Sequence, residues 1–159
     1  MLDMTIRRTN VDEAEDILNV QKEAFQADLE KYNDFETSPA TEPIKKLLYK
    51  INKNIHYTIL INDKIIGGAE VRLDSPTECY INRIFVLPQY QNKGLGTRIM
   101  NFIENEYPNV MKWTLSTPYK NLKNQHFYEK FGYKKVGEHK VTAELNLIDY
   151  MKNNNICNM

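Results

Sequence analysis

The chain is poor in the residues that build staples. Its two cysteines, Cys79 and Cys157, stand far apart, and neither they nor His56, His126 and His139 follow a metal-ligand spacing. No disulfide framework and no metal site are expected, and a reducing cytoplasm is the expected home. No apolar run approaches a membrane span. The opening residues, Met1 to Arg8, lack the apolar stretch of a secretory signal. No repeat, low-complexity tract or Pro/Gly/Ser linker divides the chain. Lysine plus arginine equal aspartate plus glutamate at 21 each, so the whole chain carries no electrostatic footprint for nucleic acid. What these absences leave is one globular domain over residues 1–150, with a polar tail over 151–159. Its length of 159 residues suffices for a core of its own.

What the chain does have is unevenly spread charge. Residues 12–42 hold ten acids against Lys22 and Lys31, whereas residues 112–140 hold seven lysines against Glu129 and Glu138. Such a split suits a protein that meets a cationic ligand at one end and an anionic one at the other.

Hydrophobic periodicity sets the element order. Thr5–Thr9 reads as a strand. Asn10 or Thr9 caps a helix whose inward face holds Ala14, Ile17, Leu18, Ala24 and Phe25. A loop over Tyr32–Glu42 leads to a second helix through Ile44, Leu47, Leu48 and Ile51. The period then changes to that of strands: Ile55–Ile61 and Ile65–Leu73, joined by Asn62-Asp63, form a hairpin. Gly67-Gly68 inside it signals a bulge or a close backbone approach. A strand over Glu78–Leu87, a helix from Gly94 to Tyr107, a strand over Trp113–Thr117 and a helix over Leu122–Phe131 stopped by Gly132 follow. Strands over Tyr133–Gly137 and Val141–Asp149 close the order. The β-α-α-β-β-β-α-β-α-β-β pattern predicts an α/β (α+β) fold with a mixed sheet covered by helices. A right-handed crossover makes the Glu78 and Trp113 strands parallel.

The most informative segment is Val86-Leu87-Pro88-Gln89-Tyr90-Gln91-Asn92-Lys93-Gly94-Leu95-Gly96-Thr97. A strand enters a tight loop that becomes a helix N-terminus, where unpaired amides and the helix dipole favour an anion. A dinucleotide fingerprint needs a third glycine where Ile99 stands. A Walker loop needs its lysine after the glycine, and Lys93 precedes Gly94.

The segment resembles the pyrophosphate loop of the GNAT acetyltransferases, Gln/Arg-x-x-Gly-x-Gly/Ala, which Gln91 to Gly96 matches in full. A second motif of that family, Asn-x-x-Ala-x-x-Phe-Tyr-Glu-Lys-x-Gly-Phe/Tyr, is similar to Asn121 through Tyr133, with Asn124 in place of the small residue. The resemblance runs from Ile6 to Ile148. It implies a mixed, mostly antiparallel sheet of six to seven strands flanked by about four helices. It also implies an N-acetyltransferase that uses acetyl-CoA as cosubstrate. Amides of Gln91, Asn92, Lys93, Gly94, Leu95, Gly96 and Thr97 would hold the pyrophosphate. Ile84, Phe85 and Val86 would pair with pantetheine, and Asn121 would bind the same arm. Lys93, Arg98 and the lysines of residues 120–135 would neighbour the phosphates. Homodimers are common in that family, and the Val141–Asp149 strand could serve such a contact. A non-catalytic acyl-CoA-binding or protein-interaction module on the same fold is the alternative.

Acetyl transfer to an amine needs a neutral nucleophile, a polarised thioester and a protonated leaving thiolate. An alkyl ammonium of pKa about 10.4 is only about 0.04% neutral at pH 7, a cost of about 4–5 kcal/mol. Where the family carries a glutamate base, this chain has Tyr80 or Ser116. Glu78 shares the face of Tyr80 and Asn82 and is the candidate base; Glu70 is another, and desolvation or a water chain is a third route. A backbone N–H near Val86 would polarise the carbonyl. Tyr128, in the motif's register, would be the general acid on the thiolate. Thr117-Pro118 would shape the acceptor mouth. The N-terminal helices wall the acceptor side in the family, and here they are acidic. The expected acceptor is therefore a small cationic amine or a peptide amine.

Overall fold

The computed structural model describes residues 3–154. Seven strands form one sheet in the order β1-β2-β3-β4-β5-β7-β6. They are β1 (Met4–Arg8), β2 (Ile55–Ile61), β3 (Lys64–Ser75), β4 (Glu78–Val86), β5 (Lys112–Pro118), β6 (Lys134–Lys140) and β7 (Asn146–Asn153). Every neighbouring pair is antiparallel except β4 and β5, as the crossover through α3 requires. Helices α1 (Ala14–Tyr32) and α2 (Ile44–Lys53) cover one face, and α3 (Leu95–Glu106) and α4 (Leu122–Lys130) the other. None is long and apolar enough to cross a membrane.

Local chemistry explains the joints. Glu13 accepts from the Asn10 backbone N–H at 2.9 Å in a capping box, and a single 3-10 turn leads into α1. Asn62 and Asp63 take φ of 51° and 65°, the left-handed pair of a two-residue hairpin turn. Ile66 is an extra residue opposite Ile59–Leu60, so β3 is bulged beside its glycine pair. The glycines also serve close approach: a Cβ on Gly67 would collide with the Phe85 carbonyl oxygen, and one on Gly68 would lie 2.7 Å from the Phe85 ring.

A second bulge organises β4. Glu70 pairs with Arg83 and Val71 with Ile81, leaving Asn82 unpaired. The extra residue exchanges the two faces of the strand. Cys79 and Ile81 point to the α3 core with Trp113, Leu115, Ile99 and Ile103. Beyond the bulge, Phe85 points the other way, into Ala14, Ile17, Leu18, Leu47 and Ile51. Arg83 turns to the same side. Its Nη1 donates to Gln21 Oε1 at 3.1 Å and to Glu42 Oε1 at 3.2 Å, and Lys50 Nζ donates to Glu42 Oε2 at 2.7 Å. This buried cluster joins α1, the turn after it, α2 and β4.

The C-terminal strands differ from expectation. A strand over Val141–Asp149 and a polar tail from Met151 onward are corrected to a turn over residues 141–145 followed by β7. Thr142 causes the shift: its Oγ1 accepts from the backbone N–H groups of Glu144 and Leu145 at 3.3 and 3.1 Å, closing a tight turn. Met151, Lys152 and Asn153 then complete the ladder with β5. Cys157 and the rest of residues 155–159 lie outside the described residues.

Burial alone would raise the pKa of Glu42. The Arg83 charge and the hydrogen bonds from Lys50, Arg83 and Gln21 outweigh that and bring it from 4.5 to about 2. Because the folded value is depressed, the stabilisation is present above about pH 4.5 and is lost as pH falls toward 2. Replacing Glu42 with Ala leaves Arg83 and Lys50 without their carboxylate and should cost about 3–5 kcal/mol in urea unfolding at pH 7. The difference between wild type and variant should shrink as the titration passes below pH 4.

Candidate active site

β4 and β5 are paired only from Glu78–Lys112 to Ile81–Leu115. Past that point β4 follows β3, while β5 stays with β7 as far as Pro118–Leu147. The sheet therefore opens into a wedge between residues 82–86 and 116–118. Over Ile84–Val86 one edge of β4 pairs with β3, and the edge facing β5 has no strand partner.

Two cavities meet in the wedge. The larger, of about 460 Å³, runs from Ile84–Val86 along the loop into α3 and reaches Gly94–Thr97 and Asn121. The other, of about 350 Å³, lies on the α1 side between Tyr32, Asn82, Arg83, Ser116 and Thr117. Phe25, Asp28, Ile84, Asn124 and Tyr128 line both. A molecule reaching from one cavity to the other passes these five side chains.

The loop is shaped for an anion. Asn92 and Gly94 both have left-handed φ, 62° and 76°. No side chain caps α3, so its first amides stay open. The two glycines have different reasons. A Cβ on Gly94 would meet nothing, so its φ is what selects glycine; a Cβ on Gly96 would lie 3.3 Å from the Phe127 ring. Gly96 thus lets α4 pack against α3. Lys123 Nζ donates to Asn92 Oδ1 across the loop, and Gln91 and Leu95 also line the cavity. Lys93 and Thr97 flank the same turn. Phe85 is divided: its ring is buried against Phe25 at 5.6 Å, and its backbone belongs to the wedge. Asn121 is the N-cap of α4, its Oδ1 accepting from Asn124 N at 3.0 Å. Its amide nitrogen, which has no hydrogen bond among the described residues, is left for a ligand.

Tyr128 sits in a nest of rings, with Phe127, Tyr133 and Tyr150 at centroid distances of 5.2, 6.0 and 6.4 Å. Its hydroxyl has no hydrogen-bond partner among the described residues, and burial pushes its pKa up to about 12.

Both carboxylates expected as bases lie away from this junction. Glu78 is on the face expected, but at the closed end of the wedge. It pairs with Lys112 at 3.5 Å, half-exposed, and lines neither cavity. Glu70 is buried and saturated by amides, accepting from Asn54 at 2.7 Å and Asn82 at 3.0 Å.

Two features escaped the sequence reading, and the sequence marks a third, Asp28, only as one of the acceptor-side acids with Glu30, Asp34 and Glu36. Asp28 lines both cavities with no hydrogen bond or ion pair among the described residues, and burial raises its pKa against the opposing charge of Lys31. Its 25-28-32 spacing with Phe25 and Tyr32 places it on their helix face, which was the available signal. The Tyr32 hydroxyl is buried in the α1-side cavity without a hydrogen-bond partner among the described residues. Ser116 Oγ donates to Asp149 Oδ1 at 2.6 Å, a contact between strands that no local pattern announces.

Comparisons with known proteins agree with this geometry. The Acetyltransferase (GNAT) family model matches residues 14–133. Uncharacterized protein YrkN of Bacillus subtilis (strain 168) is 37% identical over 73 residues, which is 45% of this chain and only 40% of that relative's length. The PaiA N-acetyltransferase of Thermoplasma acidophilum, solved in complex with coenzyme A, superposes with a TM-score of 0.74 at 17% identity, over 96% of this chain and 100% of that one. The ribosomal-protein-S18-alanine N-acetyltransferase of Escherichia coli gives 0.78 at 16% identity, over 95% and 94%. At these identities the structures speak for the fold, and the family match spans three quarters of the sequence: the chain belongs to the GNAT acetyltransferase family.

Proposed function

We propose that the chain transfers the acetyl group of acetyl-CoA to a primary amine of a small cationic molecule or a peptide, by direct attack in a ternary complex. The observation that carries this reading is the meeting of two cavities at Tyr128, one floored by an uncapped helix N-terminus and the other lined by carboxylates.

In this reading the amides of Gln91–Thr97 hold the CoA pyrophosphate. The free edge of Ile84–Val86 pairs with pantetheine, and the Asn121 amide donates to the same arm. The acetyl thioester then lies at the junction, its carbonyl oxygen facing a β4 amide near Val86. The amine enters from the α1 side. Asp28 faces its positive charge and the Tyr32 hydroxyl offers the buried partner that an amine lacks once it leaves water. Attack expels the thiolate, and the Tyr128 phenol protonates it. The raised pKa keeps the phenol protonated before it acts. A thiolate in the same dry junction is raised by the same burial, so the proton still has a basic acceptor.

Calorimetry with coenzyme A tests the first half. Saturable binding is expected, and replacing Gly94 with Ala should weaken it roughly tenfold, since a Cβ in left-handed backbone costs about 1–2 kcal/mol. No heat at millimolar coenzyme A would sink the reading. Thiol release from acetyl-CoA with 1,4-diaminobutane, glucosamine, lysine amide and an alanyl peptide tests the second half. Binding without release would leave a non-catalytic CoA-binding module. Tyr128→Phe should lower kcat about a hundredfold while changing CoA affinity less than about threefold. Asp28→Asn should raise the KM of a cationic amine about tenfold and leave the KM of acetyl-CoA alone.

A further inference from the structure

Ser116 and Asp149 are directly opposed in the β5–β7 ladder, so their side chains leave the sheet on one face as close neighbours. That face bears the α1-side cavity, and Ser116 lines it. The Ser116 hydroxyl hydrogen is committed to Asp149 Oδ1 at 2.6 Å, a charge-assisted bond. What Oγ presents to the cavity is therefore its lone pairs, which accept and do not donate. On the far side, β6 sets Gly137 opposite Asp149. Without a side chain at Gly137, His139 reaches the carboxylate, its Nδ1 lying 3.1 Å from Oδ2. The His139 side chain is 50% exposed and that of Asp149 is 35% exposed. Three polar groups on three adjacent strands thus lead from the cavity to solvent.

The geometry points to a proton exit from the acceptor cavity, in which Ser116 takes the proton of the incoming ammonium and Asp149 receives the one Ser116 gives up. It rests on the transferase reading above. The ammonium N–H bond breaks as a new Oγ–H bond forms, while the old Oγ–H bond breaks and its proton joins Asp149 Oδ1. The freed lone pair on nitrogen attacks the thioester carbonyl. The neutral carboxyl then yields its proton to water at its exposed edge beside His139, which restores the carboxylate. The second proton that nitrogen sheds as the amide forms restores the Tyr128 phenol once it has protonated the thiolate, and water is the only further participant.

The other titratable groups around the cavity are engaged otherwise. Asp34 accepts from the backbone N–H and the hydroxyl of Thr37. Arg83 is held by Glu42. The Tyr80 ring lies under the Arg72 guanidinium at 5.0 Å. Asp28, across the cavity on α1, has no hydrogen-bonded path onward and serves as a counter-charge, with Tyr32 beside it on the same helix. Tyr128 has to keep its proton for the thiolate. On β6, Lys135 is paired with Glu138 at 3.3 Å.

The test compares two kinds of nucleophile at saturating acetyl-CoA. One is whichever of 1,4-diaminobutane, glucosamine, lysine amide and the alanyl peptide turns over fastest. The other is hydroxylamine, which is neutral at pH 7 and has no proton to lose before attack. Ser116→Ala and Asp149→Asn should each lower the amine rate at pH 7 at least about tenfold, with the loss closing by about pH 10 as the amine becomes neutral unaided. Hydroxylamine rates and calorimetric CoA affinity should stay within about threefold, and Ser116→Thr, which keeps the hydroxyl, should retain the amine rate. An equal loss with hydroxylamine, a loss constant across pH, or no loss at all would overturn the exit route while leaving the transferase intact. A wild-type chain that acetylates none of these nucleophiles would overturn the transferase reading and the route with it.

Discussion

Asn82 has no ladder partner on β3, and much of the molecule is arranged around that missing pair. The bulge turns Arg83 and Phe85 onto the α1 face, where they meet the Gln21–Glu42–Lys50 cluster and the small core under α1 and α2. It falls where β4 loses contact with β5. Strand twist rises at a bulge, so the same extra residue that re-aims the side chains also helps part the strands. A gap through a sheet would normally expose unpaired backbone on both sides. Here β4 keeps β3 and β5 keeps β7, while the edges that face each other across the gap, that of Ile84–Val86 among them, have no strand partner. An extended ligand can complete that edge as a strand would.

The two sides of the gap differ in chemistry because different elements supply them. The α3 side offers backbone amides held in a left-handed turn, a fixed partial positive charge that needs no side chain. The α1 side offers Asp28, Tyr32 and the turn after them, within the stretch where acids outnumber bases. The charge asymmetry seen in the sequence thus becomes a polarity across a single opening, which is what the proposed meeting of an acetyl thioester and an amine requires.

Much of the architecture was legible because it rests on local rules. Asn62-Asp63 specified its hairpin, Gly132 the stop of α4, and the crossover through α3 the parallel pair. The glycine pair in β3 signalled a bulge or a close approach, and both are present. The Asn82 bulge gave no such sign, since an asparagine in a strand looks like any polar position. Alternation placed Glu78 on the face of Tyr80, but alternation says nothing about depth along a strand. Where the wedge begins depends on which residue of β4 is last to pair with β5, a non-local fact. The same limit hid Asp149: its nearness to Ser116 follows from the β5–β7 register, which the Thr142 turn sets by delaying the start of β7.

In the proposed transfer, removing a proton and delivering one are opposite demands on a single opening. A phenol that gives its proton to a thiolate gains from a dry site, where both groups are pushed up together and water cannot intervene. A group that takes a proton from an ammonium gains from a wet outlet, because a buried carboxylic acid with no exit would stay protonated and block the next turnover. Tyr128 stands in the dry position, ringed by aromatic side chains where α4 packs on the sheet. Asp149 stands two strands from β4, where the sheet has run out from under α1 and α2 and its carboxylate is a third exposed. Ser116 bridges the difference: a hydroxyl on β5 is short enough to face the cavity and polar enough to bond across the ladder to the solvated carboxylate. Placing the carboxylate itself on β5 would put a further charge in the cavity that Asp28 already lines. The serine moves that charge one strand outward, to the solvated side of β7.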